Sequence, residues 1–405
     1  MRLFTYLLFG LLILVCIACS SEPVLPTVVS FDTATLSLVV SPTETSRPTK
    51  EIPPTYTPTV EATFTPTVTA LASPTVEKET LSGTLYYIYN GDSIAAIQAD
   101  GSNSRLIETF GVDVPLSDLS LSPDQRLMAF VAPGNGASRE IYVINRDGSY
   151  RQQVSCLGFQ DLRKPTWAWD SDRIAFWAAP NVGATFDLYE TGLIGANECP
   201  DGNQQDLLIP LKTEITGNIA WHPNGEKIFY SIGPIYAYDM ANVLSYQFTA
   251  PTGFGPDFAL VHHKERSELA FLRTQLEPKA QIKGGSLVMI FDTDTVPASP
   301  YSYSGGFYNG TDLAWNQSGA QLMIVHKNGI RVNDFALSQV KEVVTGLNTE
   351  PIAAISPDGK AIAYRAPDIN GQEQLYIASV ETGESHQISF LSEGHISDLV
   401  WAAEN

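Results

Sequence analysis

Leu119-Ser120-Leu121-Ser122-Pro123-Asp124, followed by Leu127-Met128-Ala129-Phe130, and Ala353-Ala354-Ile355-Ser356-Pro357-Asp358-Gly359, followed by Ala361-Ile362-Ala363-Tyr364, are two copies of one pattern. A short apolar strand enters a polar turn and a second apolar strand leaves it. Pro presets φ there, Asp bonds nearby backbone and Gly accepts a positive φ, so the turn reads as structural. Looser copies lie at 167–170 with 174–176, 219–225 with 228–230, 258–262 with 269–271, and 313–316 with 322–325. A third strand trails each pair, as in Glu140-Ile141-Tyr142-Val143-Ile144, and a fourth follows an Asp147-Gly148 or Thr382-Gly383 turn. Four short strands joined by tight turns and repeated in tandem make an all-β fold of propeller blades.

Six complete repeats begin near residues 117, 165, 217, 257, 311 and 351. Three strands remain at the front (85–89, 93–97 and 105–107), and one at the end (397–401). Three plus one makes a seventh blade, which predicts a seven-bladed β-propeller whose C-terminal strand closes the first blade and removes the open sheet edge. Residues 82–405 then supply roughly 46 residues per blade. Six blades is the alternative, if the weak repeat around His262 elaborates its neighbour.

The Ser-Pro-Asp-Gly turns followed by Ile-Ala-Tyr-type strands resemble those of TolB-like propellers. The resemblance runs from the first repeat to the last, over about four-fifths of the chain. It implies protein partners at a cell envelope, while propellers as a class host many roles.

Upstream of the repeats the chain changes character twice. Arg2 precedes an apolar run from about Leu7 to Ala18, too short to span a bilayer comfortably and shaped like an export signal. Cys16-Ile17-Ala18-Cys19 resembles the lipobox of bacterial lipoproteins, which implies lipidation of Cys19 and a signal peptide over 1–19. Residues 21–80 hold fifteen Thr, nine Pro and no Gly. Proline at that density blocks helices and ladders and favours an extended spacer. The expected organisation is a signal peptide (1–19), a Thr/Pro-rich linker (20–81) and the propeller (82–405).

The chain carries 24 Lys and Arg against 44 Asp and Glu, a net charge of −20, which disfavours nucleic acid as a partner. No Gly-x-Ser-x-Gly elbow, no His-Glu-x-x-His and no pair of Cys-x-x-Cys motifs appears, so no catalytic, metal or cofactor residue is assigned and an enzyme is not expected. His262 and His263 are adjacent and point to opposite faces of a strand. His222 occupies a turn position that other repeats fill with polar residues. Cys156 and Cys199 are the candidate disulfide. Regular blades place them ~15 Å apart or more by strand rise, and only a folded-back insertion over 194–206 brings them together. The long segment 299–310 holds Tyr301, Tyr303, Phe307 and Tyr308 among Ser and Gly, which reads as candidate binding loops. The expected role is a membrane-anchored, extracytoplasmic module that binds an envelope protein, peptide or glycan. The alternative is a propeller enzyme acting on surface glycans from its central channel, which a convergence of carboxylates and Arg on that channel would favour.

Overall fold

The computed structural model describes residues 81–404, apart from 112–114, 194–204, 215–216, 251–253, 276–284, 296–299 and 349–350. The signal peptide, Cys19 and the linker therefore lie outside the described residues. Seven four-stranded antiparallel sheets follow one another. Blade 1 combines residues 84–109 with the strand Ile396–Ala402, and blades 2 to 7 occupy 117–153, 161–213, 219–247, 254–308, 310–345 and 353–387. The weak repeat around His262 is a complete blade, so the count is seven.

The closing strand pairs with Thr84–Tyr89 in the register Leu85↔Trp401, Tyr87↔Leu399 and Tyr89↔Ile396. Each blade therefore has its innermost strand followed by three strands moving outward. One apolar cluster fills each seam, from Leu85, Ala363, Ile377 and Trp401 between blades 1 and 7 to Phe229, Phe271 and Phe248 between blades 4 and 5. The core is thus a ring of seams, as flat sheets packed face to face require.

The turn after each innermost strand follows from its side chains. Ser122 Oγ donates to Asp124 Oδ1 (2.6 Å) and accepts the Leu127 N–H (3.0 Å). Ser356, Asp358 and Ala361 repeat this at 2.7 and 3.0 Å. Gly359 closes its turn at φ +76°, which glycine adopts without strain, and a Cβ there would displace the Gln321 amide; Gln125 and Ser171 hold the same place in blades 2 and 3 at φ 61° and 63°. The residue before each turn wedges into the preceding seam. Trp167, Trp221, Trp315 and Trp401 hold that place, and the Trp221 indole N–H donates to the Thr166 carbonyl one blade back (2.9 Å).

Candidate functional site

The seven innermost strands surround a channel of about 1110 Å³. The channel faces four residues before each turn hold Asp118, Lys164, Asn218, Ala259, Asp312, Ile352 and Asp398, one from each blade. At Asp118, Lys164, Ala259 and Asp398 the backbone is left-handed (φ 58°, 56°, 51° and 47°), and the ladder to the second strand slips there. A bulge re-aims a side chain, and a left-handed non-glycine residue costs about 1–2 kcal/mol, strain of the kind that collects at functional positions. The level lies near the channel mouth, on the face that carries the links between blades.

Three carboxylates and one amine meet at this level. Lys164 Nζ lies 3.4 Å from Asp118 Oδ1, and the Asp118 N–H donates to Asp398 Oδ2 at 3.2 Å. Ser117 Oγ holds the other Asp118 oxygen at 2.9 Å. Burial and then the Asp118 charge push Asp398 up to about 6, against the pull of Lys164 and the Asp118 amide. Burial depresses Lys164, but Asp118, Asp312 and Asp398 together outweigh it and hold its ammonium above the ordinary lysine value. Its side chain still keeps 48% of its surface in the solvent of the channel. At the rim Arg163 grips Asp161 bidentately (2.7 and 2.6 Å), so that pair is largely self-satisfied. Arg365 Nη1 donates to the Ile396 carbonyl (2.7 Å), tying blade 7 to the closing strand.

The raised carboxyl has a testable sign. A folded-state value near 6, above the ordinary ~3.9, gives stability that is full below about pH 4 and lost as pH rises through 6. The melting temperature of wild type minus that of Asp398→Asn should fall between pH 4 and 7. A difference flat or rising across that window, by calorimetry, would contradict the assignment.

None of these four charged residues was singled out in the sequence. The signal was there once the blades are aligned on their turns, since one fixed offset reaches all of them. The residues that were singled out fall elsewhere. His222 Nδ1 pairs with Asn224 Oδ1 (2.6 Å) inside its turn. His262 is buried, held neutral by desolvation with its pKa at about 3, its ring nitrogens meeting the His263 carbonyl and Thr293 Oγ1 (2.8 and 3.1 Å). His263 turns the other way and accepts the amides of Glu265 and Arg266 (3.0 and 2.9 Å). Among the described residues no group of three His, Cys, Asp or Glu has metal-binding spacing.

Tyr301, Tyr303, Phe307 and Tyr308 are not in a loop. They belong to the strand Pro300–Tyr308, outermost in blade 5, with Tyr303 opposite Met289 and Phe307 opposite Leu287. The Ser and Gly that suggested a loop are tolerated because the apolar strand Ser286–Asp292 supplies the ladder, and the outermost position sets these residues away from the channel. Cys156 is disulfide-bonded, and Cys199 lies outside the described residues.

No family model matches the chain. Dipeptidyl-peptidase 5 of Porphyromonas gingivalis is 22% identical over 311 residues, 72% of this chain and 43% of its own length. The chain thus spans under half the length of that curated relative. The β-propeller domain of the Trilobed protease from Pyrococcus furiosus superposes with a TM-score of 0.53 at 11% identity, covering 78% of this chain and 97% of that domain. TolB from Acinetobacter baumannii gives a TM-score of 0.49 at 14% identity, over 80% of this chain and 67% of that one.

Proposed function

We propose that this chain is a membrane-anchored, extracytoplasmic binding module whose ligand enters the channel at the link face. The observation that carries the reading is the ring of Asp118, Asp312 and Asp398 around Lys164, open to a channel wide enough for a peptide end or a side chain. Carboxylates outnumber the amine, so the ring favours a ligand bearing a cationic group, in keeping with the chain's net charge of −20. Titration calorimetry with tri-lysine, against tri-glutamate at equal ionic strength, tests this. Asp118→Asn with Asp312→Asn should weaken tri-lysine by about tenfold or more, as expected for loss of charge-assisted contacts. Equal or absent binding of both peptides would overturn the reading.

The anchor rests on the Ala18-Cys19 junction at the end of an export-type apolar run. Cys19→Ser should abolish palmitate labelling, and unchanged labelling would contradict the anchor. In the same reading Cys156 pairs with Cys199, which peptide mapping without reductant would display as one linked fragment.

A second reading, hydrolysis of a surface glycan or peptide, is favoured by Asp398, which keeps its proton to about pH 6 beside the Asp118 carboxylate. A carboxyl group that holds its proton close to a second carboxyl group suits a general acid. The likeness to a dipeptidyl peptidase adds peptides to the substrate class. Turnover lost by a hundredfold in Asp398→Asn would support it, and no turnover of glycan or dipeptide reporters by wild type would dismiss it.

A further inference from the structure

On the turn face, opposite the channel mouth described above, a cleft of about 410 Å³ opens between blades 1 and 2. Arg105, Arg126 and Arg146 line it, with Asp147 and Glu404 as its only carboxylates and the amides of Gln98 and Asn145 beside them. In a chain with 24 basic residues and a net charge of −20, three guanidinium groups on one cleft are a local inversion of sign.

We propose that this cleft binds a compact oxyanion, a phosphate or carboxylate group, and that the bound anion clamps the closing strand. Arg146 is preset for the task. Its Nε donates to the Tyr86 hydroxyl (3.2 Å), Nη1 to the Gln125 carbonyl (3.2 Å) and Nη2 to the Ala403 carbonyl (2.8 Å), with its guanidinium 5.8 Å from the Tyr86 ring centre. Ala403 is held a second time, its N–H donating to Gln125 Oε1 at 2.7 Å. The Arg126 Nε is engaged by Asp124 Oδ2 (2.6 Å), while its side chain stays 80% exposed. Arg105 forms no ion pair among the described residues, and it is the cation whose charge Asp147 feels. Asp147 Oδ1 is already committed to the Ser149 N–H and hydroxyl (2.8 and 2.5 Å). Arginine forks match the paired oxygens of phosphate and carboxylate, so an anion here would draw three side chains from two blades onto one point. Because Arg146 also grips the residue that follows the closing strand, occupancy couples to ring closure, as any ligand of the folded state must.

The full chain is titrated with sodium phosphate and, separately, sodium acetate, with sodium chloride at equal ionic strength as reference, and read by calorimetry and melting temperature. Phosphate should bind and raise the melting temperature beyond chloride; acetate doing so instead assigns the carboxylate. Arg105→Gln should weaken the anion about tenfold, and Glu404→Gln should tighten it, a gain that loss of structure cannot mimic. Asp398→Asn should leave this binding unchanged, which separates it from any failure of the channel reading. Indistinguishable effects of all three salts, or an Arg105→Gln variant that binds as wild type, would overturn the proposal.

Discussion

Deleting residues 396–405 is expected to abolish the folded domain. The strand Ile396–Ala402 is the innermost of blade 1, and Ile396, Leu399, Trp401 and Ala402 are all buried. The Trp401 indole N–H donates to the Ser82 carbonyl (3.2 Å), and its ring fills the seam against blade 7. Its loss would leave one side of Thr84–Tyr89 as an unpaired apolar edge and take the Ala403 carbonyl from Arg146 and the Ile396 carbonyl from Arg365. Truncating one large buried aromatic costs about 3–5 kcal/mol. A domain holds only about 5–15 kcal/mol in reserve, so several such losses at once exceed it. Trp401→Ala alone should therefore melt well below wild type, and the deletion should aggregate or show no cooperative transition. A soluble deletion with the melting temperature of the full chain would refute the seven-blade closure.

Asp257→Ala is expected to cost about 3–5 kcal/mol in urea denaturation, the range for leaving a buried charge unpaired. Asp257 has no solvent exposure, and its carboxylate accepts Arg273 Nε and Nη2 at 2.6 and 2.8 Å. Thr249 Oγ1 donates to the same carboxylate at 2.7 Å, and the guanidinium lies 5.3 and 5.7 Å from the Phe271 and Phe291 ring centres. The site reproduces a latch seen twice elsewhere. Ser155 accepts the Ile141 N–H and donates to Glu140, and Ser389 accepts the Leu375 N–H and donates to Gln374. In blade 4 the Ile235 N–H reaches Thr249, but Pro234 fills the acceptor's place, and Asp257 supplies the carboxylate from blade 5 instead. Replacing Arg273 by Met along with Asp257→Ala should recover much of the loss, since it removes the stranded charge. A single variant within 1 kcal/mol of wild type would show that water reaches the pair.

The turns and the blade count were legible because each repeat must spend several residues on a fixed turn chemistry. Ser122-Pro123-Asp124 and Ser356-Pro357-Asp358-Gly359 announce themselves, and counting outward from them leaves 397–401 with no partner but 85–89. The channel ring was not legible in the same way. Asp118, Lys164, Asp312 and Asp398 mix opposite charges and stand 46 to 148 positions from one to the next, so only an offset measured from the turns joins them. Composition misled at Tyr301–Tyr308, where Ser and Gly read as loop although a neighbouring apolar strand could pair with them. Propensity is weak at a sheet edge, and the partner decides.

The closed ring also sets an order of events. Every other ladder joins residues a few tens of positions apart at most, whereas Trp401 meets Ser82 across 319 positions. Loop closure grows by about 0.6 kcal/mol per doubling of length, so this one contact is about 3 kcal/mol harder to form than a ten-residue hairpin. Blades 2 to 7 can assemble from local hairpins while the first three strands of blade 1 wait. During synthesis, Ile396–Ala402 emerges more than 300 positions after Thr84–Tyr89, the strand that it must pair with to complete the ring. Until it arrives, the waiting edge is a natural landing place for a holdase.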